Sequence, residues 1–308
     1  MFKSAFHSWK AQKRDDAKIK VQQYISRYSK GKNLGKVYLL QGKIAMQAGA
    51  MAEAAEAFEQ SLPLVQDSLR KMVLWDWSIS LAGSAQYARA QKSYAMVLAD
   101  ANSADSLKIS EEYTALLAKA GQDSLLVGYL KSRPLQSLSE LLRLRYAKAE
   151  LSRAKYSEVK RILQDYNFTD SSYQKEGQYI LAETFLGLGE RAEGIELLKA
   201  LSDQGVHSVW QKMAEVYVED GLYLKAIRSW TQAIEALPDS LTYYLAIADL
   251  YENKLKRYAT ARDVYAAFLQ KYPDESLASK AAWGVAQSLE KEASYDKAFK
   301  AYTNITED

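Results

Sequence analysis

The 308-residue sequence contains no cysteine and only two histidines, His7 and His207. The absence of cysteine excludes disulfides, thiolate nucleophiles and cysteine-ligated zinc or iron–sulfur sites. Two imidazoles 200 residues apart argue against a catalytic triad and against a histidine-rich metal site. Adjacent carboxylates such as Glu111 and Glu112 diverge on a helix, which argues against an acid/base pair. We therefore expect no enzyme activity, no metal and no cofactor.

Long apolar runs are also missing, and proline is scarce, with four residues. No stretch reaches the roughly 18 apolar residues that a membrane span requires. The N-terminal stretch MFKSAFHSWKAQKR lacks the apolar middle of a secretory signal. As written, the sequence predicts a cytoplasmic protein, or an envelope protein if a leader has been trimmed. Hydrophobic residues make up 48% of the chain, which is enough to bury a core.

The charge is unevenly distributed. Residues 1–36 carry a net charge of +8, whereas the remaining 272 residues carry −5. Because the basic charge is confined to a short segment, it argues against nucleic-acid binding.

Residues 209–238 have the spacing of a helix hairpin of about 34 residues. A first helical stripe, a break at Gly221 and a second stripe ending at Pro238 follow one another. The residues of the two stripes are Trp210, Met213, Ala214, Tyr217, Ala226, Trp230 and Ala233. This pattern resembles the tetratricopeptide-repeat family, in which a Trp, a Leu-Gly pair, a Tyr, an Ala, a Phe and a Pro recur at these places.

The same register can be followed along the chain. A small residue recurs at Gly42, Ser78, Thr114, Ala147, Ala182, Ala214, Ala248 and Ala286. A bulky residue recurs at Phe58, Tyr94, Leu130, Leu163, Leu198, Trp230, Tyr265 and Tyr302. Tyrosine opens the second helix at Tyr87, Tyr156, Tyr223, Tyr258 and Tyr295. The hairpin at 106–135 departs from the pattern, because Arg133-Pro134 interrupts it, and we expect it to be distorted.

The resemblance implies an all-α fold, a right-handed superhelical solenoid of about eight hairpins with an N-terminal capping helix. Residues 1–33 form the basic amphipathic helix, and residues 34–308 form the solenoid. The approximate repeats are 35–70, 71–106, 107–139, 140–174, 175–206, 207–240, 241–278 and 279–308. Segments 265–276 and 281–305 are also similar in style to repeats of bacterial envelope proteins, of the outer-membrane assembly lipoprotein and Tol-Pal-associated type.

In this architecture the first helices of successive hairpins line a concave groove that suits a peptide or a partner helix. The predicted groove residues grade from basic through apolar to acidic. They are Lys36, Lys43, Trp75, Ile79, Leu144, Lys148, Leu151, Glu183, Glu215, Glu219 and Asp249. A graded groove would impose a direction on the bound segment. Alternatively, Trp75 and Ile79 fill gaps between neighbouring helices.

Two ends of the chain offer further surfaces. Phe2, Phe6 and Trp9 share a helical face, which either caps the first hairpin or lies on an anionic membrane. At the other end, we expect the side of the last hairpin that carries Trp283, Phe299 and Tyr302 to be incompletely covered, which invites self-association or a following domain. The sequence thus predicts a non-catalytic protein-binding scaffold. The alternative is a membrane-peripheral assembly or adaptor factor of the bacterial envelope.

Overall fold

The computed structural model describes residues 1–99, 103–238 and 240–306, whose regular secondary structure is helical, with no strand among them. The all-α class predicted from the sequence is confirmed. The chain divides into two compact units, residues 1–173 and 174–308.

The first unit is a series of helices in which chain neighbours pack against each other. They are α1 (Phe2–Lys10), α2 (Arg14–Arg27), α3 (Leu34–Gln47), α4 (Met51–Ser61), α5 (Asp67–Gly83), α6 (Tyr87–Ala99), α7 (Ser103–Lys119), α8 (Asp123–Lys131), α9 (Glu140–Ser152) and α10 (Tyr156–Leu163).

The second unit continues the pattern. Its helices are α11 (Ser171–Gly187), α12 (Arg191–Asp203), α13 (Val209–Glu219), α14 (Tyr223–Ala236), α15 (Leu241–Asp249), α16 (Tyr258–Lys271), α17 (Ala278–Lys291) and α18 (Tyr295–Thr306). The five tyrosines predicted to open second helices are the first residues of α6, α10, α14, α16 and α18.

Every hairpin turns through a residue in the left-handed backbone region. In the hairpin α13–α14 this residue is Gly221, with φ of +70°. It follows the small residue Ala214 by seven positions and precedes the bulky Trp230 by nine. The left-handed residues of the other hairpins are Gln12, Gly49, Ala85, Gly121, Ala154, Gly189, Lys256 and Ala293. The offset of nine holds in all of them, so turn and core form one unit of the pattern.

The small residues of the register are buried wherever the pattern predicts them, from Gly42 to Ala286. Two of them are polar and still fit a helix contact. The Ser78 hydroxyl donates to the Leu74 carbonyl, and the Thr114 hydroxyl donates to the Ser110 carbonyl, each at 2.8 Å. Because each hydroxyl donates within its own helix, its hydrogen does not require an acceptor across the interface.

The segment predicted as a single capping helix is a hairpin of two helices, α1 and α2. It carries the register of the repeats, with Ala5 as the small residue, Gln12 at the left-handed turn and Val21 as the bulky residue. The sequence pattern did not predict it because α2 is strongly polar and offers no marked apolar stripe. A ninth hairpin therefore opens the first unit.

Two hairpins depart from the regular geometry. In the hairpin predicted to be distorted, α8 has nine residues and ends at Lys131, before Pro134. In the hairpin α15–α16, a π turn over Leu250–Lys254 adds one residue. As a result the left-handed Lys256 follows Ala248 by eight positions instead of seven. This insertion accounts for part of the longer sequence interval before Ala286.

Candidate partner-binding grooves

An apolar groove of about 440 Å³ lies at the start of the first unit, and we name it the N-terminal groove. Helices α1, α3 and α5 line it with Phe2, Phe6, Trp9, Lys36, Leu39, Leu40, Lys43, Leu69 and Met72. Its two charged residues, Lys36 and Lys43, are predicted groove residues that the fold brings together. The three aromatic residues come from the segment predicted to cap the first hairpin.

The aromatic wall of the N-terminal groove is held in place from behind. Phe2, Phe6 and Trp9 are half-buried and pack against the core of the first two hairpins. The Phe6 and Trp9 ring centroids lie 5.8 Å apart, and the Trp9 indole N–H donates to Gln47 Oε1 at 3.1 Å. The apolar face of α1 therefore covers the array, as the cap interpretation expects, while part of each ring still faces the groove.

The two lysines of this groove differ in their surroundings. Lys43 Nζ lies 2.8 Å from Asp76 Oδ2, and the Asp76 side chain is largely buried. Lys36 is exposed and forms no ion pair with any residue that the structure describes. Lys36 is thus available to a ligand carboxylate, whereas Lys43 already shares its charge with α5.

A second groove of about 300 Å³ lies between α5 and α7, and we name it the Trp75 groove. It is lined by Lys71, Met72, Leu74, Trp75, Val97, Asp105, Lys108 and Ile109. Met72 also lines the N-terminal groove, so the two grooves adjoin at this residue. Ile79, one turn beyond Trp75 on α5, is half-buried and does not line either groove.

Trp75 is a wall residue rather than a fully buried one. It is half-buried, and its ring meets the Tyr94 ring edge-on at a centroid distance of 5.5 Å. The ring centroid of Tyr94 lies 4.1 Å from that of Tyr113, and the Tyr113 centroid lies 5.0 Å from that of Tyr129. Burial raises the pKa of Tyr113 to about 12 and that of Tyr94 further, so both phenols stay neutral behind the groove. This buried stack fixes the orientation of Trp75.

Leu144 does not belong to an accessible face. Its side chain is 2% exposed, which removes it from the predicted groove. The adjacent Arg145 reaches α7, where its guanidinium donates to the Glu111 carbonyl and, at 2.9 Å, to Thr114 Oγ1. These bonds hold α9 against α7. On the same helix Lys148 is exposed and Leu151 is half-buried, and neither lines a groove described above.

The first helices of the second unit, α11, α13 and α15, share a row of polar side chains. We name it the polar ledge, and it consists of Glu183, Gln211, Lys212, Glu215 and Tyr243. Glu183 on α11 pairs with Lys212 on α13 at 3.3 Å. The Gln211 side-chain amide donates to Glu215 at 2.9 Å, and the Tyr243 hydroxyl donates to Gln211 Oε1 at 2.6 Å. Side chains of three successive first helices are therefore linked by direct polar contacts.

Tyr179 and Tyr243 report the charge of this ledge. Burial raises the pKa of Tyr179, and the negative charges of Glu183 and Glu215 raise it further. The pKa of Tyr243 is raised by burial and then by Glu215. Glu215 thus acts on phenols from α11 and α15, and it is exposed to solvent. Neither tyrosine was among the predicted groove residues.

The remaining predicted carboxylates also have partners. Glu219 accepts from Arg191 at 3.0 Å, and the same arginine lies 3.1 Å from Asp220. Asp249 accepts from the Asn253 side chain at 2.7 Å. The carboxylates predicted to form an acidic face therefore lie beside Lys212 and Arg191, which offset part of their charge.

The last hairpin exposes large apolar side chains. Trp283 is 48% exposed and Phe299 is 70% exposed, and the Trp283 ring lies 4.8 Å from that of Tyr302. The incomplete cover predicted for this edge is seen, whereas self-association through it stays a prediction.

Within the described residues, no group of three or more histidine or acidic side chains is arranged to hold a metal ion. None of the described helices combines the length and apolarity needed to cross a bilayer.

The register, the left-handed turns and the adjoining grooves can be set beside known proteins. Residues 212–276 match a model of the family described as tetratricopeptide repeat. These residues are therefore similar to tetratricopeptide repeats. The match covers the two hairpins closest to the family pattern, and the other hairpins share their spacing of small, left-handed and bulky positions. No curated protein is similar enough to the chain to count as a match.

Several solved structures are similar to the chain at low identity. MamA from AMB-1 shares 19% identity, with 55% of this chain and 90% of MamA covered and a TM-score of 0.41. The P58(IPK) TPR domain shares 14% identity with a TM-score of 0.34, and the match covers 99% of this chain and 91% of that domain. A chain of the structure of Naa15/Naa10 bound to HypK-THB shares 14% sequence identity with a TM-score of 0.48. The match covers 100% of this chain and 48% of that one. The similarity to bacterial envelope repeats stays a prediction.

Proposed function

We propose that this chain is a non-catalytic scaffold that binds a segment of a partner protein on the first-helix faces of its hairpins. The observation that carries the proposal is the pair of adjoining grooves in the first unit, which present Phe6, Trp9, Met72 and Trp75 while the packing cores lie behind them. Half-buried aromatic side chains in rigid, concave settings are the usual anchors of protein interfaces.

The second unit contributes a face of different chemistry. Glu183, Glu215 and Asp249 each follow the small residue of their first helix by one position, and Glu219 lies one turn beyond the exposed Glu215. We propose that this face receives the basic portion of a partner, while the lysine-bearing grooves of the first unit receive an acidic one. Charged surfaces of this kind set the rate and direction of association more than its affinity.

The structure favours the scaffold over a membrane-peripheral envelope factor. The membrane interpretation needs the apolar face of α1 to lie in a lipid surface, but Phe2, Phe6 and Trp9 pack on the core of the first two hairpins. The basic residues beside them, Lys3, Lys10 and Lys13, remain exposed. The hairpin α1–α2 therefore behaves as a part of the array.

The proposal is tested with partners captured from an extract of the native organism. Truncating Trp75 to alanine is expected to weaken binding by at least about 2 kcal/mol, or roughly thirtyfold. Trp283→Ala provides the same truncation at an exposed tryptophan of the other unit and is expected to leave affinity unchanged. If Trp75→Ala lowers the free energy of unfolding but keeps partner affinity, Trp75 only packs, and the groove is not the binding site.

A further inference from the structure

The two grooves of the first unit form a receptor with a defined spacing. They lie on opposite sides of α5 and share the side chain of Met72. Because packed helices are about 8–10 Å apart, the two grooves are separated by roughly that distance. Two apolar side chains of one ligand can therefore enter them together if they project about 10 Å apart.

Each groove has an aromatic wall that is held in place by contacts from behind. In the N-terminal groove the bond from Trp9 to Gln47 fixes the indole, and Phe6 lies against it. In the Trp75 groove the edge contact with Tyr94 fixes the second indole. Concave sites with fixed aromatic walls suit inserted side chains, whereas a bilayer surface would need the aromatic residues to protrude.

The charges around the two grooves are mostly positive. Among the described lining residues, four are lysines, Lys36, Lys43, Lys71 and Lys108, and one is a carboxylate, Asp105. Lys43 is paired with Asp76, and Lys108 lies at the limit of an ion pair with Glu112, at 4.0 Å. Lys36 forms no ion pair within the described residues. The complementary ligand is therefore acidic.

We propose that the partner segment bound by the first unit is an acidic amphipathic helix with two apolar anchors seven residues apart. Residues i and i+7 lie on one face of a helix and are about 10.5 Å apart along its axis, which matches the separation of the grooves. One anchor enters the N-terminal groove and the other enters the Trp75 groove, on either side of Met72. Carboxylates beside the anchors meet Lys36 and Lys108. The inference rests on the proposed scaffold function and names the chemistry of its partner.

The probe is a panel of short, fluorescently labelled helical peptides titrated with the full chain. The first peptide carries leucine at i and i+7 with glutamate on the flanking positions. The second keeps the leucines and replaces glutamate with lysine, and the third keeps the glutamates but places the leucines on opposite faces. We expect the first peptide to bind at least tenfold more tightly than the other two.

Variants of the chain locate the binding site. Met72→Glu places a carboxylate where the two grooves meet and is expected to weaken the acidic peptide at least tenfold. Met96→Glu on α6 is its control, because Met96 is 49% exposed, close to the 40% of Met72, and lines neither groove. Lys36→Glu is expected to weaken the same peptide severalfold, with the exposed Lys92→Glu as control. Lys36 is exposed, so this second pair remains informative even if Met72→Glu lowers stability.

Preference for the lysine peptide, equal binding of the third peptide, or acidic binding that survives both Met72→Glu and Lys36→Glu would each overturn the inference. So would binding to phosphatidylserine-containing vesicles that depends on Lys36 while no peptide binds. The two proposals can fail separately. A native partner that is lost with Trp75→Ala while the acidic peptide shows no preference removes only this inference. A native partner unaffected by Trp75→Ala removes the proposed function.

Discussion

The two units are built on the same register but use their first-helix surfaces differently. In the first unit these helices leave apolar grooves, where Trp75 and Met72 are partly exposed and Lys36 has no ion pair among the described residues. In the second unit the corresponding helices are joined by polar contacts, as between Glu183 and Lys212. The first unit thus offers unsatisfied apolar surface, and the second offers charges that already have neighbours.

This difference shows which positions of the repeat are constrained. The small, left-handed and bulky positions pack one hairpin on the next, and they keep their spacing in both units. Positions on the groove-lining face of the first helix do not take part in this packing, and they can therefore carry either apolar or charged side chains. We therefore expect substitutions at the shared core positions to change stability, and substitutions on the divergent surface to change binding.

The largest effect is expected from breaking the shared core. Ala214 is fully buried at the contact between α13 and α14, so Ala214→Leu is expected to lower the free energy of unfolding by about 1–3 kcal/mol through overpacking. Urea denaturation measures it, with the exposed Ala200→Leu as control. A cost near zero would mean that the register assigned to both units is wrong.

The same position in the first unit gives a smaller net effect. A Cβ added to Gly42 would lie 2.5 Å from the Phe58 ring, whereas one added to Gly128 on α8 meets nothing within 4 Å. Alanine favours a helix over glycine by about 1 kcal/mol, which offsets part of the clash at Gly42. We expect Gly42→Ala to be destabilising and Gly128→Ala to be stabilising by up to about 1 kcal/mol. Equal effects of the two substitutions would deny the close approach of α3 and α4.

Charge reversal in the second unit tests whether its ledge takes part in binding. Glu215→Lys together with Glu219→Lys is expected to slow association with a captured partner and to flatten its salt dependence, with little change in stability. Stopped-flow or surface-binding kinetics at several salt concentrations measure both quantities. Glu193→Lys with Glu196→Lys, exposed residues on α12, is the control. An unchanged association rate would confine binding to the first unit.

The smallest expected change is in the ionisation of the ledge tyrosines. Glu215→Gln removes a negative charge that raises the pKa of both Tyr179 and Tyr243. Both pKa values should therefore fall, while staying above the ordinary tyrosine value because burial is the larger cause. NMR of isotope-labelled tyrosine rings over an alkaline titration measures the shift. Glu196→Gln on α12 is the control and should leave both pKa values unchanged. If Glu215→Gln also left them unchanged, the Glu215 carboxylate would not act on Tyr179 and Tyr243.

The sequence predicted the candidate site only in part. Lys36, Lys43 and Trp75 line the grooves of the first unit, and Glu215 is exposed in the second. Leu144 was placed on the same face by helical spacing, yet it is buried. Burial on α9 depends on the helices packed against it, as the contact of Arg145 with α7 across more than thirty residues of chain illustrates. A helical repeat pattern does not register contacts of this kind. Met72 was not predicted, because it lines the two grooves only through the helices that pack on either side of α5.

What the sequence by itself determined is the repeat: which residues are small, where each hairpin turns and which side chains fill the core. These features follow from local geometry, because helical period, left-handed turns and close packing act within about twenty consecutive residues. The tertiary structure decided which of the remaining side chains stay accessible and which find partners. Lys36 has no ion pair within the described residues while Glu183 meets Lys212, because burial and pairing depend on the helices that neighbouring hairpins place beside each residue.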